Sequence, residues 1–186
     1  MPDDGNRYEV IGGVLELMSP SPTAGHQSIL SELIDALRQS CKTDYLIYFA
    51  PLDVILSDTN AVQPDAMMIR RSRKSIVTSR GVEGPPDLVA EVLSPGSRKK
   101  DRLKKMAVYE KHGVPEYWIV DPETRTLEQY RLNGLERLET DRIVRRRRVG
   151  RLKQAPLRLL LGQPPFYRRA AMTREASAPS IIRSGK

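Results

Sequence analysis

Three short polar stretches of this 186-residue chain carry residue types that could act together on a phosphodiester: Gln63–Asp65, Glu91–Pro95 and Asp101–Lys105. Asp65 and Glu91 each adjoin an apolar, strand-like segment, and carboxylate oxygens are the hard ligands that a divalent cation needs. A lysine nearby could orient a water molecule or stabilise developing negative charge. The residue types therefore indicate metal-assisted hydrolysis.

The two acids differ in how strongly the sequence indicates a function. Asp65 follows Pro64 at the start of an apolar segment, where a solitary aspartate is usually a solvated turn or cap residue. Glu91 interrupts the apolar run from Leu88 to Leu93, and a buried carboxylate needs a partner or a metal ion. The sequence therefore favours a functional role for Glu91 more strongly than for Asp65.

The lysine is identified less directly than the acids. Asp101, Lys105 and Tyr109 stand four residues apart and would share one face of a helix. An exposed, salt-bridged face is the plainer explanation of such charges. The helix leaves the end of the Glu91 strand after a short turn, however, which could bring Lys105 towards Asp65 and Glu91. Spacing alone does not choose Lys105 over three other lysines: Lys99, Lys100 and Lys104.

Other candidates for catalysis carry weaker signals. His26 lies on the predicted buried stripe of a helix, where a satisfied core histidine is more common than a catalyst. His112 adjoins Gly113, which suits charge compensation at a helix end. Ser94 has no suitable histidine nearby, so a hydrolase triad is unsupported. Only 5% of the residues are aromatic, which disfavours a glycosidase with sugar-stacking subsites.

Residues 8–18 predict a β-hairpin with Gly12-Gly13 at its turn, because glycine accepts the positive φ angles of a two-residue turn. This turn places Glu9 opposite Glu16 on one face. A like-charge pair of this kind is unfavourable unless a cation lies nearby. We expect the other, apolar face to join the core: Tyr8, Val10, Leu15 and Leu17.

The rest of the chain alternates between strand-like and helix-like patterns. Residues 24–41 have a helical period with a buried stripe, formed by Ile29, Leu30, Leu33, Ile34, Leu37 and Cys41. Residues 98–112 predict a basic helix that ends at Gly113, and residues 71–86 predict an exposed loop. Strands are predicted at residues 45–50, 52–57, 66–70, 87–93, 116–120 and 127–132. This order indicates one mixed α/β domain.

The net charge of +8 is unevenly distributed. Residues 142–186 hold 13 of the 31 Lys+Arg and one acid, Glu175, whereas residues 1–141 hold 18 basic and 22 acidic residues. The excess basicity is therefore weak evidence that the folded domain binds nucleic acid. We predict a domain over residues 1–141 and a basic tail over residues 142–186 that is disordered or atypical.

Bulk features narrow the class of protein. The length suits one domain with a substantial core, and no run of about 18 apolar residues is present to span a membrane. The acidic, polar N-terminus is unlike a secretory signal. Cys41 is the only cysteine, which excludes an intrachain disulfide and a cysteine-based zinc site. These features predict a cytoplasmic protein.

An ordered set of motifs resembles the Uma-two family of bacterial endonucleases. The motifs are Tyr8-Glu9…Gly13, Ser19-Pro20…His26, Gln63–Asp65, Pro86–Pro95, Asp101-x3-Lys105-x3-Tyr109 and Gly113–Pro122. Each is weak alone, but together they cover residues 8–132 in order and with family-like spacing. The resemblance implies a restriction-endonuclease-like fold of the PD-(D/E)XK superfamily. We therefore expect a mixed β-sheet flanked by helices, with an N-terminal β-hairpin.

The resemblance also implies roles for single residues. Asp65 and Glu91 match the two superfamily acids and would ligate Mg²⁺ or Mn²⁺. Leu93 stands where the superfamily lysine normally lies, and Lys105 matches a lysine that has moved to the following helix. Further matched residues are Glu16 as an extra metal ligand, Glu9 as a weaker one, and His26, Asp101 and Tyr109 as supporting residues.

Two functional hypotheses follow from the sequence. The first is a metal-dependent DNA endonuclease in which Asp65, Glu91 and Lys105 are catalytic. DNA is then the expected partner, and a homodimer is compatible with cutting both strands. The second is a non-catalytic module of the same fold that binds partners or nucleic acid, for example through the basic tail. Metal binding and the salt dependence of DNA binding distinguish the two hypotheses.

Overall fold

The computed structural model describes residues 4–18 and 22–145, which form two mixed β-sheets and several helices. The first sheet contains β1 (Tyr8–Ile11), β2 (Val14–Leu17), β4 (Val54–Ser57), β5 (Asn60–Val62), β7 (Val77–Thr78) and β8 (Gly81–Glu83). The second contains β3 (Tyr45–Phe49), β6 (Ala66–Arg70), β9 (Leu88–Val92), β10 (Glu116–Asp121), β11 (Thr126–Leu132) and β12 (Leu138–Arg145). The strand orders are β2-β1-β5-β4-β8-β7 and β12-β11-β10-β9-β6-β3.

The centre of the second sheet positions the acid motifs. Strands β9 and β10 run parallel to each other, and every residue of both is buried. Such burial on both faces explains why these segments are almost continuously apolar. Strand β6 pairs antiparallel with β9, with Ala66 opposite Ala90. Asp65 and Glu91 occupy the adjoining positions, so the strand register alone brings the two acids to the same end of the sheet.

The second sheet is the middle layer of the molecule. Helix α1 (Ala24–Cys41) covers one face, where Leu33 and Leu37 belong to the same buried cluster as Ala90 and Trp118. The opposite face packs against the first sheet in a second buried cluster. Alternate residues of β9 contribute to the two clusters, as the period of two in a strand requires.

A helical segment follows β9 and supplies the basic side of the site. It is π-helical from Lys100 to Lys105 and continues as α2 (Met106–Lys111). Gly113 follows with a φ of 72°, a left-handed conformation that suits glycine after a helix. Within residues 4–18 and 22–145, no helix has the length and apolarity to cross a membrane.

Most elements predicted from the sequence are confirmed. Helix α1 has the predicted bounds, and its predicted stripe is buried except for Ile29, which is partly buried. The six predicted strands correspond to β3, β4, β6, β9, β10 and β11. The predicted basic helix corresponds to the segment Lys100–Lys111, and the mixed α/β class is confirmed with the strands divided between two sheets.

Three segments differ from the prediction. The expected loop over residues 71–86 contains a 3-10 helix (Arg71–Ile76), β7 and β8, because Val82 is buried in the second cluster. Strand β5 was not predicted, and β11 is not the last strand, because β12 pairs along its whole length. β12 runs to Arg145 and so includes the first residues of the predicted tail. The remainder of that tail, residues 146–186, lies outside the described residues.

The hairpin has the predicted register but the opposite orientation. Glu9 pairs with Glu16 and Val10 with Leu15, as expected. Leu15 and Leu17, expected in the core, are 43% and 60% exposed, whereas Glu9 is completely buried. The prediction assumed that the apolar face turns inward. The glutamate face does so instead, because lysines from the helical segment lie there to neutralise it.

Candidate active site

Asp65 and Glu91 interlock at the end of β6 and β9. The Asp65 backbone N–H lies 3.3 Å from Glu91 Oε2, and the Val92 backbone N–H donates to Asp65 Oδ2 at 2.8 Å. Glu91 is 3% exposed, whereas the Asp65 side chain is 21% exposed. The pair therefore joins a buried carboxylate to one that reaches solvent.

Lys105 contacts Glu91 directly, although spacing alone did not choose it over the neighbouring lysines. Its ammonium lies 2.9 Å from Glu91 Oε1, and it also lies 3.4 Å from the Gln63 carbonyl oxygen. Asp101, four residues earlier, has its Oδ1 3.8 Å from the same ammonium. Leu93, at the usual superfamily lysine position, is buried in the core. The lysine of this site therefore comes from the helical segment and not from the strand.

Glu9 is part of the site, and its position is the main feature that sequence reasoning underestimated. Its Oε1 lies 2.8 Å from the Lys105 ammonium, and its Oε2 lies 2.8 Å from the Lys100 ammonium. The Gln63 backbone N–H also donates to Oε1 at 2.9 Å. The like-charge pair with Glu16 was the available signal, because such a pair needs a nearby cation.

Tyr109 and Asp101 support the same cluster. The Tyr109 hydroxyl donates to Glu91 Oε1 at 2.9 Å, so this oxygen accepts from both Tyr109 and Lys105. Asp101 is 2% exposed, and its backbone carbonyl accepts from the Tyr117 hydroxyl at 3.0 Å. Both residues therefore lie in the same cluster as Glu91 and Lys105, and their supporting role stays a prediction.

His26 reaches the acid pair from the other side of the sheet. It lies in the first turn of α1, which Thr23 caps by accepting from the His26 backbone N–H. Its Nε2 lies 3.2 Å from Asp65 Oδ2 and 3.0 Å from the Val92 carbonyl oxygen. The inward orientation predicted for His26 is confirmed, and its partner is a residue of the candidate site.

Glu16 is the one predicted site residue that has a different partner. Its carboxylate forms an ion pair with Lys104, and its side chain is 25% exposed. Glu16 occupies the outer strand of the hairpin, whereas Glu9 occupies the strand that pairs with β5. The Glu91 carboxylate instead lies close to Lys105, Tyr109 and Asp65.

Burial and charge shift the pKa values of these groups in different directions. Burial raises the pKa of Glu91, against the opposing effect of Lys105. Burial alone would lower the pKa of Lys105, but Glu91, Glu9 and Asp101 outweigh it and raise that pKa. Burial would raise the pKa of Glu9, but Lys105 and Lys100 outweigh it and lower that pKa. Lys105 therefore holds its proton and acts as a hydrogen-bond donor, not as a base.

The pKa values of the supporting residues are also perturbed. The hydrogen bond with Asp65 raises the pKa of His26, although burial opposes this shift. Burial raises the pKa of Asp101, and burial together with Glu91 raises that of Tyr109. Clusters of perturbed titratable groups are typical of functional sites.

The acid pair has the chemistry to hold a hard divalent cation. Mg²⁺ is commonly bound by one or two carboxylates, with water and substrate phosphate as further ligands. The Asp65 backbone N–H lies 3.3 Å from Glu91 Oε2, and the His26 Nε2 atom lies 3.2 Å from Asp65 Oδ2 and 3.0 Å from the Val92 carbonyl oxygen. Among residues 4–18 and 22–145, no group of three or more His, Cys, Asp or Glu residues is arranged to hold a metal ion.

The fold and the buried acid–lysine cluster together define a restriction-endonuclease-like protein. The chain belongs to the Uma2 family, described as "Putative restriction endonuclease", whose family model matches residues 1–155. The resemblance drawn from the sequence motifs is thereby confirmed. The match also extends beyond residue 141, where the sequence predicted that the domain ends.

One solved structure supports the same fold, and a second shows a weaker similarity. The crystal structure titled as a "putative nuclease belonging to DUF820", from Anabaena variabilis ATCC 29413, is 22% identical, with a TM-score of 0.62 over 77% of this chain and 79% of that one. The type IIG restriction endonuclease BpuSI is 12% identical, with a TM-score of 0.40 over 68% of this chain and 14% of that one. No curated protein matches this chain significantly.

Proposed function

We propose that this protein is a magnesium-dependent endonuclease that hydrolyses phosphodiester bonds in DNA, with Mn²⁺ as an alternative metal. The observation that supports it most is the contact of Lys105 with Glu91 at 2.9 Å, beside Asp65 at the end of two central strands. Membership of the Uma2 family supports the same class of activity. Asp65, Glu91 and Lys105 are the catalytic residues of this proposal.

The charge balance of the cluster supports cation binding. Four carboxyl groups, those of Glu9, Asp65, Glu91 and Asp101, lie with only two ammonium groups, those of Lys100 and Lys105. Carboxyl groups therefore outnumber ammonium groups, and Asp65, which also contacts His26, is the most exposed of the four acids. A divalent cation at Asp65 and Glu91 would compensate this excess of carboxyl groups.

Each residue of the chain has a distinct task in the proposed reaction. Asp65 and Glu91 would hold the metal ion, which when bound would supply positive charge at the phosphate and acidify a water molecule. The Val92 N–H and His26 orient the Asp65 carboxylate. Lys105 keeps its proton, and its positive charge beside Glu91 would orient the attacking water or stabilise negative charge on the phosphate.

The test is cleavage of supercoiled plasmid DNA with and without Mg²⁺. We expect nicking by the wild type, and loss of nicking in Glu91→Ala and Lys105→Ala. Glu83→Gln is the matched control, because Glu83 lies in the first sheet and is paired with Arg80 at the surface. Circular dichroism establishes that each variant is folded. Undiminished cleavage by Glu91→Ala would exclude the proposed mechanism.

Calorimetry separates this proposal from a non-catalytic module of the same fold. We expect the wild type to bind Mg²⁺ or Mn²⁺ and Asp65→Asn to lose that binding, with Asp58→Asn, in an exposed turn, as control. A protein that binds no metal but binds DNA with a steep salt dependence would support the module instead. Loss of that DNA binding on deletion of residues 146–186 would then assign it to the basic tail.

Assembly and location are part of the same proposal. Hydrolysis of both strands of a duplex would be served by two copies, which sedimentation of the protein with duplex DNA would detect. The cytoplasmic location is supported by the single cysteine, Cys41, which is buried and free.

A further inference from the structure

The carboxylate of Glu9 is fully committed to partners inside the site. The residue is completely buried, and Oε1 accepts from Lys105 and from the Gln63 backbone N–H. Oε2 accepts from Lys100. A buried carboxylate without such partners would be strongly destabilising. Glu9 thus joins the first sheet to the helical segment and to the Gln63–Asp65 motif.

The π-helical conformation explains how one carboxylate reaches two lysines. Lys100 and Lys105 are the first and last residues of the π-helical segment. In an α-helix with about 3.6 residues per turn, side chains five positions apart point roughly 140° apart. Hydrogen bonding from residue i to i+5 brings such positions onto successive turns of one face. The two ammonium groups can therefore both meet Glu9, one at each oxygen.

The two lysines differ in their access to solvent. The Lys105 side chain is 4% exposed and contacts Glu91, whereas the Lys100 side chain is 15% exposed. Glu9 thus holds one lysine inside the acid cluster and the other nearer its edge. Among residues 4–18 and 22–145, Glu9 forms ion pairs with both lysines, whereas Asp101 lies 3.8 Å from the Lys105 ammonium.

We propose that Glu9 is a positioning residue that fixes the Lys105 ammonium against Glu91 and holds Lys100 at the edge of the site. It is not a metal ligand, because both of its oxygens are occupied by lysines. The inference deepens the proposed nuclease function and depends on it for its kinetic consequence. The geometric part concerns the two lysines alone and can be tested without any cleavage assay.

The first experiment maps lysine reactivity in the full-length protein. Brief acetylation followed by peptide mass spectrometry measures the modification rate of each lysine in the wild type, Glu9→Gln and Glu83→Gln. We expect Lys105 and Lys100 to react several-fold faster in Glu9→Gln and at the wild-type rate in Glu83→Gln. Lys99, which is exposed, is the internal control and should not change. Unchanged rates for Lys100 and Lys105 in Glu9→Gln would overturn the proposal.

The second experiment uses steady-state cleavage and metal titration. We expect Glu9→Gln to lower kcat on the order of 10²-fold through misplacement of Lys105, with little change in KM. Metal affinity should stay at the wild-type value, because Glu9 does not touch the metal. Loss of metal binding in Glu9→Gln would instead make Glu9 a ligand and refute the positioning role. A purely structural role would change KM and metal affinity together with kcat.

A conservative variant guards against misfolding of Glu9→Gln. Glu9→Asp keeps the charge but is one methylene shorter, so it should retain the fold and show intermediate lysine reactivity and kcat. Wild-type values of both quantities in Glu9→Asp and Glu9→Gln would refute the proposal. If the wild type itself does not cleave DNA, the proposed function fails, and the lysine reactivities still decide the geometric part.

Discussion

Two clusters of ion pairs flank the same helical segment, and they are built from different cations. The inner cluster joins Lys105 to Glu9 and Glu91, and the Lys105 side chain is 4% exposed. The outer cluster joins Arg98 to Asp121 and Arg102 to Glu128, with the arginine side chains 34% and 30% exposed. The inner cluster thus uses a buried lysine, whereas the outer cluster uses partly exposed arginines.

The contacts explain the difference. Arg102 donates from both terminal nitrogens to the two oxygens of Glu128, each at 2.7 Å, which is the two-point geometry that a guanidinium favours. Lys105 presents a single compact charge that several carboxylates share. The outer cluster therefore anchors the segment, whereas the inner one has more carboxyl groups than ammonium groups, an excess that a metal ion would neutralise under the proposed function.

The largest expected effect is that of Lys105→Met. Removing the ammonium leaves Glu9 and Glu91 buried without their shared partner, so we expect the free energy of unfolding to fall by about 3 kcal/mol. DNA cleavage should be abolished. Urea unfolding measures the first effect, and Lys99→Met at an exposed position is the control. A change within about 1 kcal/mol would show that the buried cluster contributes no more than a surface pair.

Lys105→Arg places an arginine, the cation of the outer cluster, in the inner cluster. The charge is kept, but the larger guanidinium must be accommodated in a packed interior. We therefore expect the free energy of unfolding to fall by about 2 kcal/mol. Cleavage should still be lost, because the planar donor group cannot reproduce the position of the ammonium. Retention of wild-type kcat would show that the site needs only a positive charge.

Asp121→Asn tests the outer cluster through its pH dependence. Burial would raise the pKa of Asp121, but hydrogen bonds from Arg98 and Thr124 outweigh it and lower that pKa below 3.8. A lowered folded-state pKa contributes stability that is present above the unfolded pKa and lost as pH falls through the folded one. We expect Asp121→Asn to lower the free energy of unfolding by about 1.5 kcal/mol at neutral pH. We also expect the stability of this variant to depend less on pH below pH 3.8.

Thermal unfolding across an acid pH series measures this dependence. Parallel stability curves for the wild type and Asp121→Asn would contradict the assigned role.

The smallest expected effect is that of Arg102→Lys. The two-point contact with Glu128 becomes a single contact at a partly exposed position. We therefore expect the free energy of unfolding to fall by about 0.5 kcal/mol. Cleavage should be unchanged, because the outer cluster does not touch the acid pair. A large fall in kcat without a fall in stability would show that the outer cluster also positions the site.

The strands that carry Asp65 and Glu91 could be predicted from the sequence because the pattern that indicates them lies in neighbouring residues. The apolar run around Glu91 predicts a buried strand, and Pro64-Asp65 precedes another. Helical spacing then placed Asp101, Lys105 and Tyr109 together, and the structure brings all three to the Glu91 cluster. These predictions succeeded because the period of a strand or helix is a property of neighbouring residues.

The hairpin was misread because its partners are distant in sequence. Glu9 and Lys100 are 91 residues apart, and nothing in the local pattern of β1 indicates that two lysines will cover it. Apolar residues face inward only on average. Here the lysines stabilise a buried Glu9, and Leu15 and Leu17 are exposed instead. Strand β12 was missed for a related reason, since only its pairing with β11 identifies it.

The sequence by itself determined the class of protein, the positions of Asp65 and Glu91 on their strands, and the choice of Lys105 through the family motif. Tertiary structure alone decided that Glu9 is buried, that Lys100 and Lys105 share its carboxylate, and that the helical segment is π-helical where they do so. The physical reason is the range of the interactions. Local periodicity specifies elements, whereas the burial of a charge depends on which distant residues arrive to neutralise it.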